Sequence, residues 1–197
     1  MKNFEKTIIY AGKWLQMNVT KFTTTNGGPG IWEHVSRPTR VSDSDGVSIL
    51  ATIKHDNCIK LITVAVYRIP LNQWVLELPA GMIDAKDHDP VTSALRELKE
   101  ETGYTAFREN VEDVGIIAYN DPWKSNECSR LIKVRVDEKL NENKKPVQDL
   151  DPEENINVEL IPLDNMQQHL GVLMKEKNYA VDSRIYLFSL GLAFTNK

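Results

Sequence analysis

The sequence predicts an α/β fold, a sandwich around a mixed sheet with an antiparallel β unit ahead of it. Three observations carry this. Short runs rich in Val, Ile, Thr and aromatic residues recur, separated by turn signals such as NGGPG (Asn26–Gly30) and DSDG (Asp43–Gly46). A segment of helical period opens at Asp89-Pro90 and stops at Gly103. The order is β-rich, helix, β, helix, helix, which is not the repeating βαβ pattern of a parallel sheet.

Taken in order, Trp14–Thr24 suits a strand, NGGPG turns it, and Ile31–Ser36 returns, so residues 5 to 40 form an antiparallel unit. The expected division is residues 1–42 for this unit and 43–197 for the main domain. Three β runs follow, Val47–Lys54, Ile59–Ile69 and Trp74–Leu78, with a hairpin turn at Asp56-Asn57. Asp89 caps the first helix, Pro90 fits its first position, and Gly103 is placed to end it. Further strands are expected at Val114–Tyr119, Ser129–Val136 and Ile156–Ile161. Residues 138–155, polar and acidic with Pro146 and Pro152, read as a long loop. Asp164 with Gln167 makes a capping-box start for the next helix, and Ser183–Phe194 is an apolar final helix.

Bulk properties exclude several classes. At 197 residues, with 41% hydrophobic and 26% charged residues, the chain is one good-sized globular domain with a small appendage. A net charge of -4 argues against a nucleic-acid partner. No apolar run approaches the ~18 residues of a membrane span, and MKNFEKTIIYAGKW, with its acid and no long apolar core, does not read as a signal peptide. Cys58 and Cys128, without metal-ligand spacing, suggest reduced thiols and a cytoplasmic location, with the nucleus also open.

The first helix carries the chemistry. Val91, Ala94, Leu95 and Leu98 share one face, which buries. Glu97 and Glu101, four apart, stack along its edge, with small Ser93 one turn earlier, Glu100 beside them, and Arg96 four residues before Glu100. Three acids near a helix C-terminus repel one another and oppose the helix dipole. A hard divalent cation compensates, and carboxylate oxygens with water and phosphate suit Mg²⁺. Gly81, after an apolar strand ending in Leu78-Pro79-Ala80, lets the backbone turn so that the Ala80 carbonyl can face the same ion.

Gly81, then Arg96-Glu97-Leu98-Lys99-Glu100-Glu101-Thr102-Gly103-Tyr104, resembles the Nudix box, G-x5-E-x7-R-E-U-x-E-E-x-G-U with U aliphatic or aromatic. The second half matches at every fixed position. In the first half Asp87 stands where Glu is usual, and eight residues rather than seven separate it from Arg96; counted back from Arg96, the slot is His88. The resemblance implies a Nudix α/β/α sandwich. It also puts in question the pairing that the usual Glu makes with the loop or with the box arginine.

Over about residues 10–195 the chain is similar to the ADP-sugar (ADP-ribose) pyrophosphatase branch. The matching stretches are GKW (Gly12–Trp14), IWEHVSR (Ile31–Arg37), VYRIP (Val66–Pro70), LPAGMID (Leu78–Asp84), NDPWKSNE (Asn120–Glu127) and VDSRIYLFSLGLA near the end. The branch implies a homodimer formed through the N-terminal β unit, with adenine held between Trp14 and Trp32 of different subunits. It implies a base contact from Glu33, contacts to base or diphosphate from Arg37 and Arg68, and ribose-side contacts from Met82 and Asp121. Trp123 stands where the branch often has glycine, which narrows that side.

The implied reaction is hydrolysis of ADP-ribose or a related ADP-sugar to AMP and a sugar phosphate. Ala80, Glu97, Glu100 and Glu101 would hold Mg²⁺, with Mn²⁺ as an alternative, and Arg96 would orient a box glutamate. The general base is sought in the acidic loop Gln148–Leu160, with Glu154 as first candidate and Glu153 behind it. Alternatives are a Nudix hydrolase of a UDP-sugar, a dinucleoside polyphosphate or an oxidised nucleotide, and a non-catalytic module that binds ADP-ribose.

Overall fold

The computed structural model describes residues 1–55 and 57–195. Eleven strands are described: β1 (Lys2–Ala11), β2 (Gln16–Thr23), β3 (Pro29–Ser36), β4 (Gly46–His55), β5 (Cys58–Arg68), β6 (Gln73–Glu77), β7 (Ala80–Met82), β8 (Val111–Tyr119), β9 (Cys128–Val136), β10 (Ile156–Pro162) and β11 (Ala180–Val181). The helices are α1 (Pro90–Thr102), the single turn α2 (Asn141–Lys144), α3 (Met166–Glu176) and α4 (Ser183–Thr195).

The first three strands make a separate antiparallel sheet, β1-β2-β3. Every residue of β1 is exposed, so no alternation of buried and exposed positions marks it in the sequence. Trp14 lies outside the strand expected for it, in the turn between β1 and β2. Phe4, Ile8, Tyr10 and Ile31 leave large apolar surfaces uncovered on this sheet. It is tied to the rest of the molecule through β3. The amide of Val35 donates to the carbonyl of Lys124 at 2.8 Å, and Trp32 Nε1 donates to the carbonyl of Trp123 at 2.7 Å.

The other eight strands form one mixed sheet, parallel at β4/β9 and β6/β11 and antiparallel elsewhere. Its central strand, β5, is long enough to serve two neighbours on one edge. Cys58–Ile62 pairs with β4 and Val64–Arg68 with β6, while β10 runs along the opposite edge. Asp56 of the expected hairpin turn lies outside the described residues; the pair His55↔Cys58 closes that hairpin. Where β4 leaves β5, its first residues, Gly46–Ser48, pair instead with β7.

Helices cover both faces. Val47, Ile49, Ala51 and Ile53 alternate along β4 and pack with Ala94 and Leu98 of α1. On the other side Leu61, Ala65 and Leu76 pack with Met166 and Leu170 of α3 and Ile185 of α4. Each of the Val, Leu, Ile and Met side chains among these contributes about 2 kcal/mol by leaving water. The result is the α/β/α sandwich.

The ends of α1 follow the sequence signals. Asp89 Oδ1 accepts the Thr92 amide at 2.9 Å, and Gly103 ends the helix at φ 75°. A Cβ there would lie 2.4 Å from the Val147 amide nitrogen, so glycine is required twice over. Two expectations are corrected. α3 is capped by Asn165 in the left-handed region with no side-chain bond, so Asp164 and Gln167 form no capping box. The segment 138–155 is not all loop: it holds α2, whose buried Asn143 takes the Thr105 amide at 2.7 Å and donates to the Thr105 carbonyl at 2.9 Å. Among the described residues no helix is long and apolar enough to cross a membrane.

Candidate active site

Glu97 and Glu101 project from α1 onto β7. Glu101 is 6% exposed, and its Oε2 accepts the Ala80 amide at 3.0 Å. The Glu97 carboxylate lies against Gly81, where a Cβ would fall 1.9 Å from its Cδ. Burial drives both acids upward, Glu97 to about 7 and Glu101 to about 8. Each also feels the other box acids and the charge of Glu154, which the loop 145–155 brings toward them. Glu154 is itself braced, its carboxylate accepting the Asp151 amide at 3.0 Å. Nothing comparable brings Glu153 to the helix among the described residues.

Arg96 is the hub of the helix. Nη1 donates to Glu97 Oε1 at 2.9 Å and to Glu100 Oε2 at 2.7 Å. Nη2 donates to the Met82 carbonyl at 3.2 Å and to Asp87 Oδ2 at 3.0 Å. Burial works against its charge, but Asp87, Glu97 and Glu100 outweigh that and raise its pKa. Asp87, whose side chain is 4% exposed, also accepts from Ser93 Oγ at 2.8 Å. The pairing put in question by the missing box Glu is therefore made by Asp87, and His88, an exposed bend residue, is not used for it. Burial would raise Asp87, but the bonds from Arg96 and Ser93 hold it below the usual carboxylate range.

A cavity of ≈ 250 Å³ opens beside β7, with Ala80, Gly81 and Met82 in its wall. Arg37, Arg68 and Arg184 line it, and so do Asp45, Glu77 and Glu127. Each cation is pinned in advance. Arg37 Nε donates to Glu127 at 2.8 Å, and the Arg68 fork takes both oxygens of Glu77 at 2.7 Å. The Arg184 fork grips Asp182 at 2.8 and 2.9 Å, and its Nη1 donates to Ser48 Oγ at 3.1 Å. Pinned guanidiniums lose little freedom when a phosphate arrives. Arg184, within the stretch VDSRIYLFSLGLA, is a cavity residue outside the predicted set; its place two residues after Asp182, at the start of α4, is the signal that the sequence offers.

Of the remaining predicted residues all but Met82 lie further out. Trp14 and Trp32 are 52% and 48% exposed, and Glu33 is exposed on β3. Asp121 sits in the loop after β8, paired with Lys124 at 2.8 Å. Met82 lines the cavity, its sulfur 4.0 Å from Arg37 Nη1. So Arg37, Arg68, Met82, Ala80, Glu97 and Glu101 are brought to one place, while Trp14, Trp32 and Glu33 belong to the outer sheet.

Among the described residues no three His, Cys, Asp or Glu side chains close into a metal cage. The donor set nonetheless fits a magnesium ion. Mg²⁺ is held by one or two carboxylates with substrate phosphate and water rather than by an all-protein cage. Buried Glu101 and partly buried Glu97, both set against the Ala80–Gly81 backbone, offer such a pair of carboxylates.

An α/β/α sandwich with an acid pair along the buried edge of its first helix and an arginine-lined cavity alongside defines a class of hydrolases acting on phosphorylated substrates. The NUDIX domain model matches residues 45–182, and the chain belongs to the Nudix family of hydrolases. It is 34% identical over 193 residues to a Caenorhabditis elegans chain named as a nudix hydrolase, covering 97% of this chain and 85% of that one. It is 32% identical to the ADP-ribose pyrophosphatase of Saccharomyces cerevisiae (91% and 77% covered) and 30% identical to the ADP-sugar pyrophosphatase of Mus musculus (96% and 86%). A crystal structure titled as an ADP compounds hydrolase shares the fold, with a TM-score of 0.62 at 16% identity, covering 86% of this chain and 82% of the other.

Proposed function

We propose that the enzyme hydrolyses the diphosphate of ADP-ribose and related ADP-sugars, releasing AMP and a sugar phosphate in a Mg²⁺-dependent reaction. The observation that carries this is the charge of the cavity. Its three guanidiniums meet three carboxylates, so its wall offers a diphosphate shape and hydrogen bonds without net positive charge. The missing charge has to come from cations, and the acids that would hold them, Glu97 and Glu101, stand against Ala80 and Gly81 in the same wall.

In this reading Glu97, Glu101 and the Ala80 carbonyl would hold Mg²⁺, which would supply the positive charge that the diphosphate needs and lower the pKa of water. Arg96 keeps Glu97 and Glu100 aimed. Arg37 and Arg68, pinned by Glu127 and Glu77, orient the phosphates; Met82 and Asp121 border the sugar side. Glu154, free of any arginine partner in the hydrogen bonds described and electrostatically coupled to both acids, takes the proton from the attacking water. Trp14, Trp32 and Glu33 bind adenine, and the uncovered apolar sheet that carries them supports a homodimer in which the site is shared. The names of the yeast and mouse relatives favour the same substrate class.

A panel of ADP-ribose, other ADP-sugars, UDP-sugars and dinucleoside polyphosphates, assayed with and without Mg²⁺ and with product identification, tests the proposal. AMP from ADP-ribose at the highest kcat/KM is expected. Tight binding of ADP-ribose with no AMP released would make the protein a binding module instead.

A further inference from the structure

We infer that loop length and acid length are a compensated pair in this enzyme, and that Asp87 is the residue that positions the metal-binding acids through Arg96. The inference rests on the Nudix reading of the site and deepens it.

Asp87 occupies the box-glutamate position counted from Gly81, so the added residue lies between it and the helix cap Asp89, at His88. An aspartate reaches about 1.5 Å less than a glutamate, while one more residue adds up to about 3.5 Å of chain. The loop uses the addition to carry the shorter acid inward. Asp87 N–H donates to the Asp84 carbonyl at 2.9 Å, closing a turn. A single oxygen, Oδ2, then collects Arg96 Nη2, Ser93 Oγ and the Asp84 amide at 3.0, 2.8 and 3.2 Å. Arg96 spends its other terminal nitrogen on Glu97 and Glu100. Without the Asp87 anchor, Nη2 would keep only its longer bond to the Met82 carbonyl at 3.2 Å, and Arg96 would hold Glu97 and Glu100 less firmly in direction. The Asp87 side chain is 4% exposed and its Oδ2 is already held by three donors, so an added methylene would carry that oxygen off them unless the loop moved.

It follows that Asp87→Glu, which restores the usual box residue, should damage this enzyme, and that removing His88 should repair the damage. The test is a four-protein cycle: wild type, Asp87→Glu, removal of His88, and both changes together. Each is assayed for ADP-ribose hydrolysis and, independently of turnover, for Mn²⁺ affinity by electron paramagnetic resonance. Each single change is expected to lower kcat and Mn²⁺ affinity at least tenfold with KM within threefold of wild type. The combined variant should return to within about threefold of wild type in both. Losses that multiply in the combined variant would overturn the pairing. Asp87→Asn, which keeps the shape and removes the charge, should weaken Mn²⁺ at least tenfold; wild-type affinity there would overturn the positioning role. The Mn²⁺ readout does not depend on the substrate, so a wild type inactive on ADP-ribose would count against the proposed substrate and leave the cycle readable.

Discussion

Gly81 and Glu97 occupy one space: a Cβ on the glycine would lie 1.9 Å from the Cδ of the glutamate and 2.0 Å from its Oε1. The atom displaced by a substitution is the end of a flexible side chain, so the fold can yield where the chemistry cannot. Gly81→Ala is expected to cost less than about 2 kcal/mol of stability while lowering turnover by about 100-fold or more, through a redirected Glu97. Thermal melts and single-turnover rates separate the two effects. An alanine variant with near-wild-type turnover would show that Glu97 need not lie on Gly81.

Burial places Glu97 at about 7 and Glu101 at about 8, both above the ordinary 4.5 of an unfolded chain. Between those limits the folded protein holds protons that the unfolded chain has lost, so these groups make metal-free stability fall as pH rises. Asp45, Asp87 and Asp182 are shifted downward, and their contribution is lost only as pH drops below their ordinary 3.8. The metal-free Tm should therefore decline from about pH 5 to about pH 8, and the Glu97→Gln/Glu101→Gln protein should flatten that slope. Mg²⁺ requires the ionised acids, so the Tm rise it produces should grow over the same interval. Melts with chelator and with Mg²⁺ at three pH values decide it; a Mg²⁺ effect larger at pH 5 than at pH 8 would remove the acid pair from the metal site.

Glu101→Gln and Glu154→Gln should fail differently. The first removes a proposed metal ligand, and the second a proposed base that does not anchor α1. Both should lose roughly 10²–10⁴-fold in turnover, but only Glu101→Gln should weaken Mn²⁺ at the same time. Equal Mn²⁺ weakening in both would make Glu154 a ligand rather than a base.

Trp14→Ala should weaken adenine nucleotides by roughly 1–3 kcal/mol, the value of one lost stacking contact. If the site is shared, mixing this variant with a protomer inactivated by Glu101→Gln should recover part of the activity, because some mixed dimers contain one intact site. A wild type that is both monomeric and fully active would dismiss the shared site.

The box helix was legible because its signals are local: Asp89, Pro90 and Gly103 bound it, and the stripe Val91, Ala94, Leu98 turns Glu97 and Glu101 toward the sheet. The role of Asp87 was not, since sequence shows a departure from a pattern but not which carboxylate will reach Arg96 across the loop. Arg184 escaped notice for a related reason. It meets Ser48 across 136 positions of chain, a closeness created only by the sheet. β1 was missed as a separate strand because every residue on it is exposed, and the false capping box at Asp164 shows two suitable residues outvoted by Asn165 in the left-handed turn.

Two successive carbonyls of the loop after β8, those of Trp123 and Lys124, hang from the side chain of Trp32 and the amide of Val35. The outer sheet is thus joined to the loop whose two ends, Asn120 and Glu127, stand in the cavity wall. Any molecule seated on the uncovered face of β1 and β3 would therefore rest one hydrogen-bonded step from the loop that borders the cavity.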